Sequence, residues 1–223
     1  MARMSRRESQ QQTRERIKRA AEEVLASQGA NSMRIEQIVR AAGYTRGAFY
    51  KNFVSRLDLL LDIMRSRETE EIEFWTYLVE STDSPDRLLP LIVRDSQEIS
   101  RTRALISVEL QMEAERNPEF RPYHAAYLDL IYGKIEQLLT AILKRCGKGP
   151  PHDLKDKVIG IYSLGLTLGL ATIMGSRGDW QNTAFGLARD YLQEIVASAP
   201  TGETSGARTR DADWDPGAKT VQN

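Results

Sequence analysis

The chain has 223 residues, 41% of them hydrophobic and 28% charged, with one cysteine. That length suits one large or two small domains, and the lone Cys146 excludes an internal disulfide. Charges of each sign number 31, yet residues 1–56 carry twelve Lys or Arg against five acids, a balance of +7, which leaves −7 for residues 57–223. A basic head on an acidic body meets a polyanion head first, through counterion release. The basic start runs into Gln-rich sequence rather than the apolar stretch of a signal peptide, so the expected location is the reducing cytoplasm. No segment alternates in the manner of a β-strand, and the expected fold class is all-α.

Residues 1–12, MARMSRRESQQQ, read as a flexible basic arm whose Arg3, Arg6 and Arg7 can settle on phosphates or in a minor groove. Ile17, Ala20, Ala21, Val24 and Leu25 recur at helical spacing and predict an amphipathic helix from about Thr13 to Gln28, stopped by Gly29. Ile35, Ile38, Val39 and Ala42 predict a second helix of about two turns, which Gly43 ends because glycine tolerates the positive φ of a sharp exit. Thr45 can cap a third helix by accepting from a backbone N–H two or three residues on, and Phe49 and Phe53 fall four apart on its inward face. Arg46, Ala48, Tyr50 and Lys51 are left to the other faces. Two short helices meeting at a glycine turn read as a helix-turn-helix, with a surface αα-corner as the alternative, and the second, basic and aromatic outside, fits a major groove about 12 Å wide.

Ser55 caps a further helix, with Arg56 at its first position and Asp58 closing a capping box. The segments TRERIKRAAEEVLASQG and IEQIVRAAGYTRGAFYKNFVSRLDLL closely resemble the tetracycline-repressor (TetR) family of bacterial transcription regulators over residues 13–64. The family's Ala-Gly turn, the Tyr of its recognition helix and the Phe before its capping Ser have counterparts in Ala42-Gly43, Tyr50 and Phe53. Two positions depart from the pattern. Arg34 stands where the family commonly has a Thr that caps the second helix and touches phosphate, and Val39 stands where a small Ala is usual. Ser32 or Asn31 can take over the cap, and Arg34 can reach phosphate by charge. The candidate DNA-contacting residues are Arg34, Thr45, Arg46, Gly47, Ala48, Tyr50, Lys51, Asn52 and Arg56, in a DNA-binding domain of residues 13–56.

A larger helical region follows over residues 57–198. One long helix is expected from Arg56 to about Ser81, with Leu57, Leu60, Leu61 and Met64 toward the DNA-binding unit and Ile72, Trp75 and Val79 further along. Ser84-Pro85-Asp86 reads as a capped helix start that Pro90 kinks or delays. Leu105, Val108, Leu110 and Met112 continue the apolar pattern until Asn117-Pro118. Tyr127, Leu130, Ile131, Ile135, Leu138, Leu139, Ile142 and Leu143 form a stripe of four turns or more that ends at Cys146-Gly147, before the loop GKGPP. Residues 158–176 hold no charge over a length that could span a bilayer, but four glycines and several hydroxyls dilute them. The favoured reading is a buried helix whose glycines admit a close neighbour, a second copy of the chain. Ala184, Leu187, Ala188, Tyr191, Leu192, Ile195 and Val196 supply a further apolar face. From about Ala199 to Asn223 the composition predicts a disordered tail, with Trp214 as a lone large apolar residue.

The resemblance implies a homodimer through residues 154–198, whose last two long helices build the interface, and a palindromic double-stranded DNA operator released when a small molecule binds in the body. Trp75, Met112, Phe120, Tyr123, Tyr127 and Tyr162 lie on helices that surround the ligand pocket in that family, and Glu109 is a carboxylate on one of them. Such a lining suits an apolar or aromatic ligand, with Glu109 holding a cation if there is one. No cofactor, metal or catalytic residue is expected. His124 and His152 lack ligand-spaced partners, and no phosphate loop or nucleophile elbow occurs. Cys146, beside Lys144, Arg145 and Lys148, is in a setting that can lower a thiol pKa. A helical dimeric adaptor without DNA binding and a membrane-tethered regulator are the alternatives. The first has no use for the basic head, and the second would partition with membranes.

Overall fold

The computed structural model of the chain describes residues 6–28, 33–82, 101–173 and 180–202. Among them run eight α-helices and no strand: α1 Arg6–Gln28, α2 Ile35–Ala42, α3 Arg46–Tyr50, α4 Arg56–Ser81, α5 Arg101–Arg116, α6 Arg121–Arg145, α7 Leu154–Ile173 and α8 Trp180–Ser198. The all-helical expectation holds, with a helix-turn-helix unit ahead of a larger helical body.

Helix α1 starts at Arg6 rather than at Thr13. Arg, Glu, Ser and Gln carry the helix backward over two further turns, and the Thr13 hydroxyl donates to the Ser9 carbonyl at 2.9 Å instead of capping a new helix. The basic arm is therefore helical from Arg6. Ile17, Ala21, Val24 and Leu25 are buried against Ile38, Val39, Phe49 and Phe53. Gly43 adopts φ 72°, and the Tyr44 N–H donates to the Val39 carbonyl at 2.8 Å, closing α2 before the chain turns. Arg34 occupies the N-cap of α2 without a side-chain cap bond. Asn31 and Ser32, the expected substitutes, lie outside the described residues.

Helix α4 joins the two halves. Its start is a capping box in which the Asp58 N–H donates to Ser55 Oγ at 3.1 Å and the Asp58 carboxylate accepts the Val54 N–H at 2.9 Å. Leu59, Leu60, Leu61, Ile63 and Met64 are buried near this end, and Trp75 and Val79 further along. Three cations fasten α1 to α4. Arg14 pairs with Asp62 at 2.9 Å and lies 4.2 Å over the Phe53 ring, Lys18 reaches Asp62 at 3.6 Å, and Arg67 grips Glu22 with two hydrogen bonds. Part of the basic excess of the head is thus internal mortar.

The Asn117-Pro118 break becomes a cap, since Asn117 Oδ1 accepts the N–H groups of Glu119 at 3.0 Å and Phe120 at 3.3 Å. Helix α6 buries Tyr127, Ile131, Ile135, Leu138, Leu139, Ile142 and Leu143, but Leu130 is exposed because it falls a turn-fraction off that face. At Gly160 of α7 the close neighbour is α8 of the same chain. A Cβ there would sit 2.5 Å from the Tyr191 hydroxyl oxygen. No helix among the described residues is long and apolar enough to cross a membrane.

The chain stays fixed past Ala199, where a tail was expected to begin. Ala199 is buried, the Gly149 N–H donates to the Pro200 carbonyl at 2.8 Å, and Lys148 and Thr201 form an antiparallel bridge. Gly147 at φ 69° supplies the turn and takes the Gly202 N–H on its carbonyl at 2.9 Å. Residues 1–5, the Ser84 to Pro90 region and the tail with Trp214 lie outside the described residues.

Candidate nucleic-acid interface and cavity

Helix α3 is short because its job is local. Thr45 Oγ1 accepts the Ala48 N–H at 3.3 Å, and Phe49, fully buried, pins the helix to α1 and α2. The opposite side bears exposed Thr45, Arg46, Gly47, Tyr50 and Lys51, with Ala48 and Asn52 half-buried beside them. Arg46 is folded back on Glu36 of α2 at 3.0 Å, with its guanidinium 6.0 Å from the Tyr50 ring centroid. Both members of that pair are largely exposed, so solvent screens it and it yields readily to a better anion. Arg34 and Arg40 are exposed on α2 or at its start. Arg40, which the sequence reading did not single out, sits in the last turn of α2, one turn from the glycine bend. Its charge beside the turn is the signal that was there to find.

Arg56 and Glu109 do not sit where expected. Arg56, expected at DNA, and Glu109, expected at a ligand, are joined in an ion pair between the first residue of α4 and the middle of α5, each about three-tenths exposed. The two helices cross at that point, which neither residue's sequence neighbours reveal.

Between α4, α5, α6 and α7 lies a cavity of about 160 Å³. Its walls are mostly apolar, with Met64, Ile72 and Trp75 from α4, Ile131 and Leu138 from α6, and Gly165 and Leu166 from α7. Trp75 and Tyr162 face it. Phe120 and Tyr127 are buried in the adjoining core, where they stack in sequence with His124. Met112 and Tyr123 are on the surface, 46% and 67% exposed. Met112 lies two residues beyond buried Leu110, and Tyr123 lies about 100° around the helix from His124, so both turn off the inward faces.

One end of the cavity is charged. Glu68 is 9% exposed, its Oε2 accepts the Tyr127 hydroxyl at 2.6 Å, and its Oε1 is 3.9 Å from Arg103 of α5, which also pairs with Glu71. Burial pushes the Glu68 carboxyl above the ordinary carboxylate range, against the pull of Tyr127 and Arg103. The Tyr127 hydroxyl is pushed up by burial and by the Glu68 charge, and Tyr162, edge-on to Tyr132, is raised to about 12 for the same reasons. Glu68, Glu71 and Arg103 were not anticipated. Glu68 stands seven residues after Leu61 and seven before Trp75, a carboxylate on an apolar stripe, which is the clue the sequence held.

A compact three-helix unit with an exposed basic α3 defines a helix-turn-helix protein of the DNA-binding kind. Residues 17–63 match the family model of the bacterial regulatory proteins, tetR family. Over 177 residues the chain is 29% identical to the HTH-type transcriptional regulator AcrR of Shigella flexneri, a match covering 76% of this chain and 81% of that one. Over 58 residues it is 43% identical to the HTH-type transcriptional regulator SrpR of Pseudomonas putida, which covers 26% of this chain and only 27% of that relative's length. A crystal structure of a transcriptional regulator from Saccharomonospora viridis in complex with choline shares the fold, with a TM-score of 0.62 and 19% identity over 82% of this chain and 96% of that one. Residues 17–63 thus carry the DNA-binding domain of the tetR family, and the chain as a whole is similar to transcriptional regulators that carry it. These relatives are regulators, not enzymes.

Proposed function

We propose that the protein is a homodimeric repressor that reads a palindromic operator with α3 and leaves it when a small molecule enters the cavity. One observation carries this reading. The helix whose first turns pack against the DNA-binding unit, α4, also forms a wall of the cavity through Met64, Glu68, Ile72 and Trp75. A ligand that prefers one placement of α4 therefore biases the position of α3, and a preference of a few kcal/mol changes operator affinity by orders of magnitude. The Arg56–Glu109 pair ties the start of α4 to α5, a second cavity wall, so the same bias reaches the DNA-binding unit by two helices.

A single α3 offers too few base contacts to choose a site in a genome, and pairing two by a two-fold axis supplies the rest. Residues 154–198 are the proposed interface. Ile159 of α7 and Leu187 of α8 are large apolar side chains left exposed on the monomer, 47% and 59%, and suit burial against a second copy. The choline found in the Saccharomonospora viridis relative supports a small-molecule ligand in this body. On α3, Arg46 is the base reader, with Thr45, Tyr50 and Lys51 beside it, and Arg34 and Arg40 meet phosphate.

The test is selection of sequences from a random duplex pool by the purified protein and by Arg46→Ala. A recovered palindrome, with discrimination lowered by about 1 to 3 kcal/mol in the variant, is the expected result. Absence of any binding at low salt would refute the repressor reading and favour the adaptor.

A further inference from the structure

We propose that the cavity takes a small single-ring organic cation that also carries a hydrogen-bond acceptor. The inference rests on the reading of the body as a ligand-binding domain and deepens it by naming the class of ligand.

Size sets the first limit. Engineered apolar cavities of about 150 Å³ hold one benzene molecule, so a space of about 160 Å³ takes one ring with a short substituent. Charge sets the second. Among the described residues at the polar end, two carboxylates, Glu68 and Glu71, meet one guanidinium, that of Arg103. Arg103 stands 3.9 Å from Glu68 Oε1, beyond hydrogen-bonding reach, while Tyr127 occupies only Oε2. Oε1 thus has room for a donor that the described residues do not provide. Burial already drives the Glu68 carboxyl toward neutrality, and a bound ammonium does the work of that proton. An anion would add a third negative charge to the same corner.

Trp75 supplies the third element. It is 6% exposed, forms part of the cavity wall, and its Nε1–H is buried with no acceptor among the described residues. Buried indole N–H groups as a rule find a partner, and an oxygen on the ligand can be that partner while the indole ring receives the ligand's ring or cation.

Calorimetric titration of the full chain with four single-ring probes tests the assignment: tyramine and benzylamine as cations, benzyl alcohol as the neutral analogue and benzoate as the anion. Tyramine should bind tightest and benzylamine next, with benzyl alcohol and benzoate weaker than benzylamine by at least tenfold. Glu68→Gln, which keeps an acceptor for Tyr127, should abolish the preference for amines over the alcohol. Trp75→Phe should cancel only the advantage of tyramine over benzylamine. Benzoate or benzyl alcohol binding as tightly as benzylamine would overturn the proposal, as would binding of none of the four probes. The probe order in the unaltered protein decides the matter even if a variant fails to fold. Operator binding, measured on the same samples, reports separately on the repressor reading: amine selectivity without operator recognition would sink that reading and leave this one intact.

Discussion

The DNA-binding unit and the body fill their interiors differently. In the first, Ile17, Ile38, Phe49 and Phe53 are each 0 or 1% exposed and interlock around a glycine turn, so the unit is held in one shape. In the second, four helices surround a cavity whose charged corner leaves a carboxylate oxygen and an indole N–H without close partners among the described residues. Rigid packing presents a reading head, and incomplete packing leaves room for something else to complete it. The lesson is that the tightly packed part presents a fixed surface, while the part built around a cavity has room for the ligand proposed above.

The sharpest way to break this contrast is Phe49→Ala. Phe49 is fully buried, with ring centroids 5.4 Å from Tyr50 and 5.6 Å from Phe53, and its truncation should cost about 3 to 5 kcal/mol in chemical denaturation and abolish DNA binding. A loss below 1 kcal/mol would show that the head is not tightly packed. Gly160→Ala probes the body where α7 and α8 approach closely. The new methyl meets the Tyr191 hydroxyl, so denaturation should show a loss of about 1 to 3 kcal/mol, partly restored by Tyr191→Phe. No restoration would place the strain elsewhere. Thr45→Ala removes the cap of α3, and a loss of about 1 kcal/mol is expected, with weaker operator binding in proportion.

The smallest effect is a pH dependence. Burial lowers the pKa of His124, so the folded state favours the neutral ring. Its contribution to stability is present above the unfolded value of about 6.5 and is lost as pH falls through the lower folded value. Glu68 has the opposite sign. Its raised folded pKa favours the protonated acid, so its contribution is lost as pH rises through that value. Melting temperatures from pH 5 to 7 should fall less steeply on acidification in His124→Gln, and Glu68→Gln should be relatively more stable toward neutral pH. Identical slopes in all three proteins would remove both groups from the account.

Much of the head was legible in the sequence because its determinants lie within a few residues of one another. Gly43 at positive φ, the Thr45 cap over Ala48 and the Ser55–Asp58 box are each closed by hydrogen-bonding groups three or four positions apart. The start of α1 was not, since Thr13 can either cap a helix or bond back within one, and the residues before it decide which. In the body, the helices and their buried stripes followed from periodicity. The cavity's polar corner did not. Glu68 meets Tyr127 across 59 positions and Arg103 meets Glu71 across 32, so the pairing depends on helix crossings that spacing does not encode. The same holds for Arg56 and Glu109, whose charges suggested DNA and ligand but satisfy each other instead.

The length of α4 sets a mechanical ratio. Arg56 and Trp75 are nineteen residues apart on an unbroken helix, a span of about 28 Å at 1.5 Å per residue. A tilt of only about 3° about the cavity end therefore displaces the far end by roughly 1.5 Å, half the length of a hydrogen bond. At the head of that lever, a displacement smaller than one atom is enough to break the side-chain contacts with DNA bases proposed for α3.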